Sequence, residues 1–138
     1  MLLTECLRQY VTALPSARTG WLAALRDPVV GHALMLLHAS PAESWTVARL
    51  ARRVAVSRSV LGDRFATVLG QPPMRYLAQW RLQLAAHMLR TTAETVPEIA
   101  GRVGYESDAA FSRAFKRGLG EPPASWRSRS RGTAARVI

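Results

Sequence analysis

One pattern occurs twice in this chain. Residues 46 to 76 read TVARLARRVAVSRSVLGDRFATVLGQPPMRY, and residues 95 to 126 read TVPEIAGRVGYESDAAFSRAFKRGLGEPPASW. Thr46, Val47, Ala51 and Val54 match Thr95, Val96, Ala100 and Val103 at an offset of 49. After one extra residue, Glu106, the offset becomes 50 and holds for Ser57 and Ser107, Leu61 and Phe111, Phe65 and Phe115, Gly70 and Gly120, and both Pro-Pro pairs. A repeat this short accommodates one small supersecondary unit, so the chain is expected to carry two copies of it and two equivalent binding elements.

Helix signals within each copy are local and explicit. Thr46 and Thr95 stand where N-caps belong, and Thr95 with Glu98 has capping-box spacing. Leu50, Ala51 and Val54 in the first copy, and Ile99, Ala100 and Val103 in the second, form the apolar stripe of a first helix. Ser57 and Ser107 then cap a second helix, with Leu61, Phe65 and Val68, or Phe111, Phe115 and Gly118, on its inner side. Gly70 and Gly120 are natural stops, and the prolines after them open the next helix. Each copy reads as helix, short turn, helix, stop, which is a helix-turn-helix in an all-α fold.

The flanks complete five segments: an N-terminal helical segment over 1–44, a first helix-turn-helix over 45–72, a linker helix over 73–91, a second helix-turn-helix over 92–126 and a basic tail over 127–138. Leu2, Leu3, Cys6, Leu7, Tyr10, Val11 and Leu14 recur at helical spacing, Trp21 to Leu25 is a short apolar helical piece, and Asp27-Pro28 opens a helix that Pro41 breaks. The linker carries Tyr76, Leu77, Trp80, Leu84 and Met88 along one side. At roughly 1.5 Å per residue it spans about 28 Å. Successive major-groove faces of a duplex lie roughly 34 Å apart, so a spacer of this length suits two reading helices, with some bending of the DNA if it is slightly short. The tail, Arg127 to Ile138, is expected to be disordered without DNA.

Charge distinguishes the repeat from what precedes it. Residues 1 to 45 hold three arginines against three carboxylates, whereas the remaining 93 residues hold 16 basic and 6 acidic side chains, the whole of the +10 excess. That localisation points to a polyanion as the repeat's partner. All but one of the basic residues are arginine, which grips a phosphate or a guanine edge through paired hydrogen bonds. Cys6 is the single cysteine, no signal-peptide pattern opens the chain, and the apolar stretch Val29 to Ala39 is too short for a bilayer, so a cytoplasmic protein with no membrane association is expected. His32, His38 and His87 lack metal-ligand spacing and are expected to be partly buried structural residues. With no Gly-rich phosphate loop and no nucleophile beside a base, neither enzyme activity nor a metal or cofactor is expected.

With the inner positions set, helical rotation turns Ser59, Gly62, Asp63 and Ala66 outward in the first copy, and Ala109, Ser112, Arg113 and Lys116 in the second. Base contacts would come from these faces, with Arg58, Arg64, Asp108 and Arg117 on the flanks nearer the phosphates. Arg113, outward near the start of its helix, suits the N7 and O6 of a guanine. The first copy is the poorer reader, because Asp63 repels phosphate and accepts only from a cytosine or adenine amino group, so it is expected to supply mainly shape and phosphate contacts. Phosphate candidates are Arg52, Arg53, Arg58, Arg64, Arg75, Arg81, Arg102, Lys116 and Arg117 with the tail arginines Arg127, Arg129, Arg131 and Arg136, of which about half should touch DNA.

From Trp45 to Trp126 the chain resembles the DNA-binding domain of the AraC/XylS family of bacterial transcription regulators, most specifically in the run I99-A-x-x-V-G-Y-x-S-x-x-x-F-S-R-A-F-K-R-x-x-G-x-P-P. The resemblance implies an all-helical fold of two helix-turn-helix subdomains joined by a long helix. It implies base readers at Ser59, Gly62 and Asp63 in the first unit and at Asp108, Ala109, Ser112 and Arg113 in the second. Gly62-Asp63 departs from the larger polar or basic residues often found there. Residues 20 to 45 resemble the segment that precedes this domain in members with an upstream cupin-like sensor barrel, and residues 1 to 44 are too few to form such a barrel. The chain is therefore either a piece of a longer regulator or a stand-alone reader. The apolar stripe of its first helix, which looks made to dock on something, favours the piece, although that stripe could equally close the core of its own domain.

The function expected is sequence-specific binding of double-stranded DNA at two successive major-groove segments. The resemblance implies activation through contact with RNA polymerase. The alternative is a protein-interaction module with degenerate, non-specific DNA binding, for which Gly62, Asp63 and Asp108 speak. Tandem readers do not require a dimer, so the oligomeric state stays open.

Overall fold

Capping side chains and stop residues set the helix boundaries in the computed structural model, which describes residues 26 to 137, with side chains to 132. The helices are α1 (Pro28–Ala39), α2 (Val47–Arg53), α3 (Arg58–Leu69), α4 (Pro73–Thr91), α5 (Val96–Arg102), α6 (Asp108–Leu119) and α7 (Pro123–Val137), and the described residues contain no strand. Asp27 accepts from the amides of Val29 and Val30 at 2.9 and 3.2 Å. Thr46 accepts from Arg49 N at 3.0 Å, Ser57 from Val60 N at 3.2 Å, and Ser107 from Ala110 N at 3.0 Å. The capping box before α5 is complete, with Glu98 N donating to Thr95 Oγ1 at 3.2 Å and Thr95 N donating to Glu98 Oε2 at 3.3 Å. Gly70 and Gly120 end α3 and α6 at φ values of 74° and 87°, a left-handed conformation that glycine enters without a Cβ clash.

The chain forms two compact units, one up to Ala78 and one from Gln79 onward. The division falls inside α4, so this continuous helix lends its first turns to one unit and the rest to the other.

In the first unit α1 packs on both α2 and α3. Its Val30, Ala33, Leu34 and Leu37 are buried together with Leu50, Ala51, Val54, Leu61, Phe65, Tyr76 and Leu77. Residues 28 to 39, expected within a separate N-terminal segment, are thus part of the first helix-turn-helix unit. The reason is area: α2 and α3 form a thin pair, and an uncharged third helix covers what they leave open. The expected helix over Leu2 to Leu14 and the apolar piece Trp21 to Leu25 lie outside the described residues.

In the second unit the remainder of α4 supplies Trp80, Leu84, Ala85 and Leu89, buried with Ile99, Ala100, Val103, Phe111 and Phe115. α6 approaches α4 so closely that a Cβ on Gly118 would lie 2.6 Å from Leu82 Cδ1. The tail expected to be disordered is helical, since α7 runs on to Val137. Arg127 and Arg131 explain the difference, because their guanidinium groups donate to backbone carbonyls of Leu89 and Thr92 and so tie α7 to the end of α4.

Candidate nucleic-acid interface

The turn inside each unit brings the second helix of the pair out of line with the first and turns one of its faces to solvent. In the first unit Val56 N donates to Ala51 O at 3.0 Å, and in the second Tyr105 N donates to Ala100 O at 2.9 Å. The turn needs a positive φ, which Gly104 adopts at 101° and Ala55 at 61°. Ala55 is the one residue other than glycine in that region among the described residues, so the first copy holds a mildly strained turn where the second is relaxed.

On α3, Ser59, Asp63 and Ala66 are exposed and Gly62 is half-buried, all four along the same side. A Cβ on Gly62 would meet nothing within 4 Å, so no packing inside the protein requires glycine there. On α6, Asp108, Ala109, Arg113 and Lys116 are exposed and Ser112 is half-buried. Each expected set of readers therefore shares one face of one helix. Asp108 also begins α6 beside its cap, where the helix dipole favours a carboxylate.

The phosphate candidates separate into distinct groups. Arg58, Arg75, Lys116 and Arg117 are exposed, and among the described residues none has a carboxylate within ion-pair distance. The same holds for Arg52, Arg53 and Arg113, with the Arg53 guanidinium 5.7 Å from the ring centre of Trp45. Arg64 lies at the surface but donates to both oxygens of Asp27 at 3.3 Å, linking α3 to the cap of α1. Arg102 pairs with Glu94 at 2.9 Å, and Arg129 with Glu121 at 2.7 Å while lying over the Trp126 ring. Arg81 is half-buried; burial pulls its guanidinium below the ordinary value, an effect the nearby Tyr105 partly offsets.

Arg127 departs furthest from its expected role. Its Nε donates to Leu89 O at 2.9 Å and an Nη to Thr92 O at 3.3 Å, so it caps the C-terminal carbonyls of α4. Sequence alone offers no sign of this, because an arginine that serves carbonyls and one that faces a polyanion look the same in one dimension. The Asp27 to Arg64 pair was missed for a similar reason: Asp27-Pro28 announces a helix start and nothing about its distant partner.

The histidines also part ways. His38 is buried, with Nε2 2.8 Å from the Tyr76 hydroxyl, and burial lowers its pKa from 6.5 to about 4. His87 is half-buried beside Arg90, whereas His32, expected to be partly buried, is exposed. No group of three or more His, Cys, Asp or Glu side chains among the described residues is placed to hold a metal ion, and no helix there is long and apolar enough to cross a membrane.

Comparison with known proteins agrees with this architecture. A family model described as a helix-turn-helix domain matches residues 50–129. Over 127 residues the chain is 51% identical to a Streptomyces lividans protein designated an AraC-like transcription regulator, a match covering 92% of this chain and 42% of that protein. It is 35% identical over 128 residues to the RCS-specific HTH-type transcriptional activator RclR of Escherichia coli, covering 93% of this chain and 45% of RclR. The chain thus spans less than half the length of these relatives. Among solved structures, the DNA-binding domain of the global transcriptional factor AdpA, crystallised with a target DNA, superposes with a TM-score of 0.73 at 32% identity, over 78% of this chain and 96% of that one. With two capped helix-turn-helix pairs and a family match across more than half its length, the chain belongs to the AraC/XylS family, whose helix-turn-helix DNA-binding domain it carries.

Proposed function

We propose that this chain is a sequence-specific reader of double-stranded DNA that lays α3 and α6 into successive major-groove segments and regulates transcription there. The observation that carries the reading is the outward face of α6, where Arg113, Lys116 and Arg117 stand exposed with no carboxylate partner among the described residues. Leaving three cations uncompensated on one helix costs self-repulsion, which a polyanion relieves. The likeness to the AdpA domain, solved with a target DNA, supports the same use here.

In this reading Ser112 and Arg113 contact base edges in the second half-site, with Asp108 and Ala109 at the helix start, and Arg113 takes a guanine through paired hydrogen bonds. Ser59, Gly62 and Asp63 face the first half-site, where the bare backbone at Gly62 admits close approach and favours shape over base identity. Arg58, Arg75, Lys116 and Arg117 neutralise phosphates, and Arg64 joins them by exchanging Asp27 for DNA. Arg81 and Arg127 drop out, since burial and the α4 carbonyls claim them. Activation through RNA polymerase is the mode we assign, in line with the activator RclR. We assign the whole regulator a cytoplasmic location and an upstream sensor domain, the latter in line with relatives of which this chain covers only 42% and 45%.

Selection of bound sequences from a random duplex library at two salt concentrations tests this. An asymmetric motif whose stronger half contains a guanine lost on Arg113→Ala, with affinity falling steeply as salt rises, is the expected result. Salt-sensitive binding with no enriched motif would replace the reading with that of a basic interaction module.

A further inference from the structure

Tyr76 and Trp126 occupy the same place in the two units, fifty residues apart and three residues after the proline that opens their helix. Each ring stands edge-on to the phenylalanine at the core of the reading helix just before it. The Tyr76 and Phe65 centroids are 6.1 Å apart at 66°, and those of Trp126 and Phe115 are 6.1 Å apart at 71°. Each residue then reaches past that phenylalanine to the helix that precedes the helix-turn-helix pair. In the first unit the Tyr76 hydroxyl shares a buried 2.8 Å hydrogen bond with His38 Nε2 of α1. In the second, Trp126 Nε1 donates to Ala86 O of α4 at 3.2 Å. The chemistry at the two tips differs, while the path from reading helix to ring to preceding helix is the same.

An edge-to-face contact alone leaves the clamping ring free to slide, because dispersion is nearly indifferent to small shifts. A hydrogen bond at the far tip is directional and fixes the plane of that ring. The phenylalanine beneath then has one seat, and α3 or α6 one rotation about its own axis. That rotation decides which side chains face outward, since one residue along a helix is about 100° around it.

We propose that Tyr76 and Trp126 are positioning residues that set the rotation of α3 and α6 respectively, and through it the base preference of each unit. The proposal deepens the DNA-reading function and rests on it. Tyr76 acts through His38, so its clamp can be released from either end by a side-chain change. Trp126 acts through a main-chain carbonyl, so its clamp can be released only at the tryptophan.

Tyr76→Phe and Trp126→Phe each keep an aromatic ring against the reading helix and remove the polar tip. The test compares the motifs selected by the unaltered chain and by both variants, together with amide hydrogen exchange of each free protein. Tyr76→Phe should weaken preference in the first half of the motif by about fivefold, the size of one net hydrogen bond, and leave the second half intact. Trp126→Phe should do the reverse, and His38→Phe should match Tyr76→Phe without adding to it. A merely structural loss, whether it opens one unit or both, would lower affinity for all sequences in proportion to the unfolded fraction and leave the base preference within each half unchanged. Variants whose motifs equal that of the unaltered chain would overturn the clamps. If the unaltered chain selects no motif, the DNA-reading function fails and exchange decides: α3 amides about fivefold faster in Tyr76→Phe with α6 unchanged support the clamp, and equal rates overturn it.

Discussion

The two units share a scaffold and differ in what they hold out to solvent. Both cap their second helix with serine, end it with a left-handed glycine and seat a phenylalanine edge-on to an aromatic ring of the next helix. Yet the outer face of α3 presents Ser59, Gly62 and Asp63 with Arg64 held by Asp27, whereas that of α6 presents Ser112, Arg113 and Lys116. Inside, the second unit runs a chain of rings through Tyr105, Phe111, Phe115 and Trp126, at 5.4, 5.6 and 6.1 Å, where the first has Leu61 in place of Phe111. Core positions must fit neighbours on several helices and so repeat, whereas outward positions answer only to a partner and are free to diverge. Under the proposed function, the second unit specialises in base identity while the first supplies grip and shape.

The sharpest way to break the comparison is to empty one core. Phe115 is fully buried between two aromatic neighbours, so Phe115→Ala should cost about 3–5 kcal/mol and open the second unit first. Residue-resolved amide exchange would show it; loss of protection in the first unit to the same degree would mean that the units do not unfold separately.

Acid should act on the other unit. Burial lowers the His38 pKa from 6.5 to about 4, so the unfolded chain takes up the proton first as pH falls. The stabilisation by neutral His38 is complete above pH 6.5 and is lost as pH drops toward 4, about 3 kcal/mol in all. Burial would also raise the Asp27 carboxyl, but the amides of Val30 and Val29 and the Arg64 guanidinium outweigh it and hold the pKa below the ordinary value, so its contribution disappears at still lower pH. Urea unfolding between pH 7 and 4 should show the first unit weakening, and His38→Gln should flatten that dependence; a dependence that survives the substitution would clear His38.

At the reading faces, Arg113→Ala should remove about 1–3 kcal/mol of discrimination at one base pair. Asp63→Ala should change discrimination less and strengthen overall binding slightly, by removing a negative charge from the DNA side. Competition binding with single-base operator variants measures both, and a larger specificity loss from Asp63→Ala would reverse the assignment of the stronger reader. The smallest contrast is in the turns. Gly104→Ala forces alanine to a φ of 101° and should cost about 1–2 kcal/mol, whereas Ala55→Gly relieves a φ of 61° and should gain a few tenths, as thermal unfolding would report.

Helix starts and stops, and the side that each second helix turns outward, were legible in the sequence because they depend on residues within about four positions of one another. Thr95 and Glu98 form the expected box, α4 spans Pro73 to Thr91 as the spacing predicts, and Leu61, Phe65, Phe111 and Phe115 are buried as read, whereas Gly118, expected on the inner side, is exposed. What lay out of reach was every partner chosen across the fold. Tertiary packing alone decided that α1 completes the first core, that Arg64 faces Asp27 and that Tyr76 meets His38. It also directed Arg127 and Arg131 to the end of α4, which turned an expected loose basic tail into a helix. Periodicity and capping are short-range chemistry written in order along the chain. A guanidinium or an imidazole carries no such address, and its role follows from whichever acceptor the packed helices bring to it.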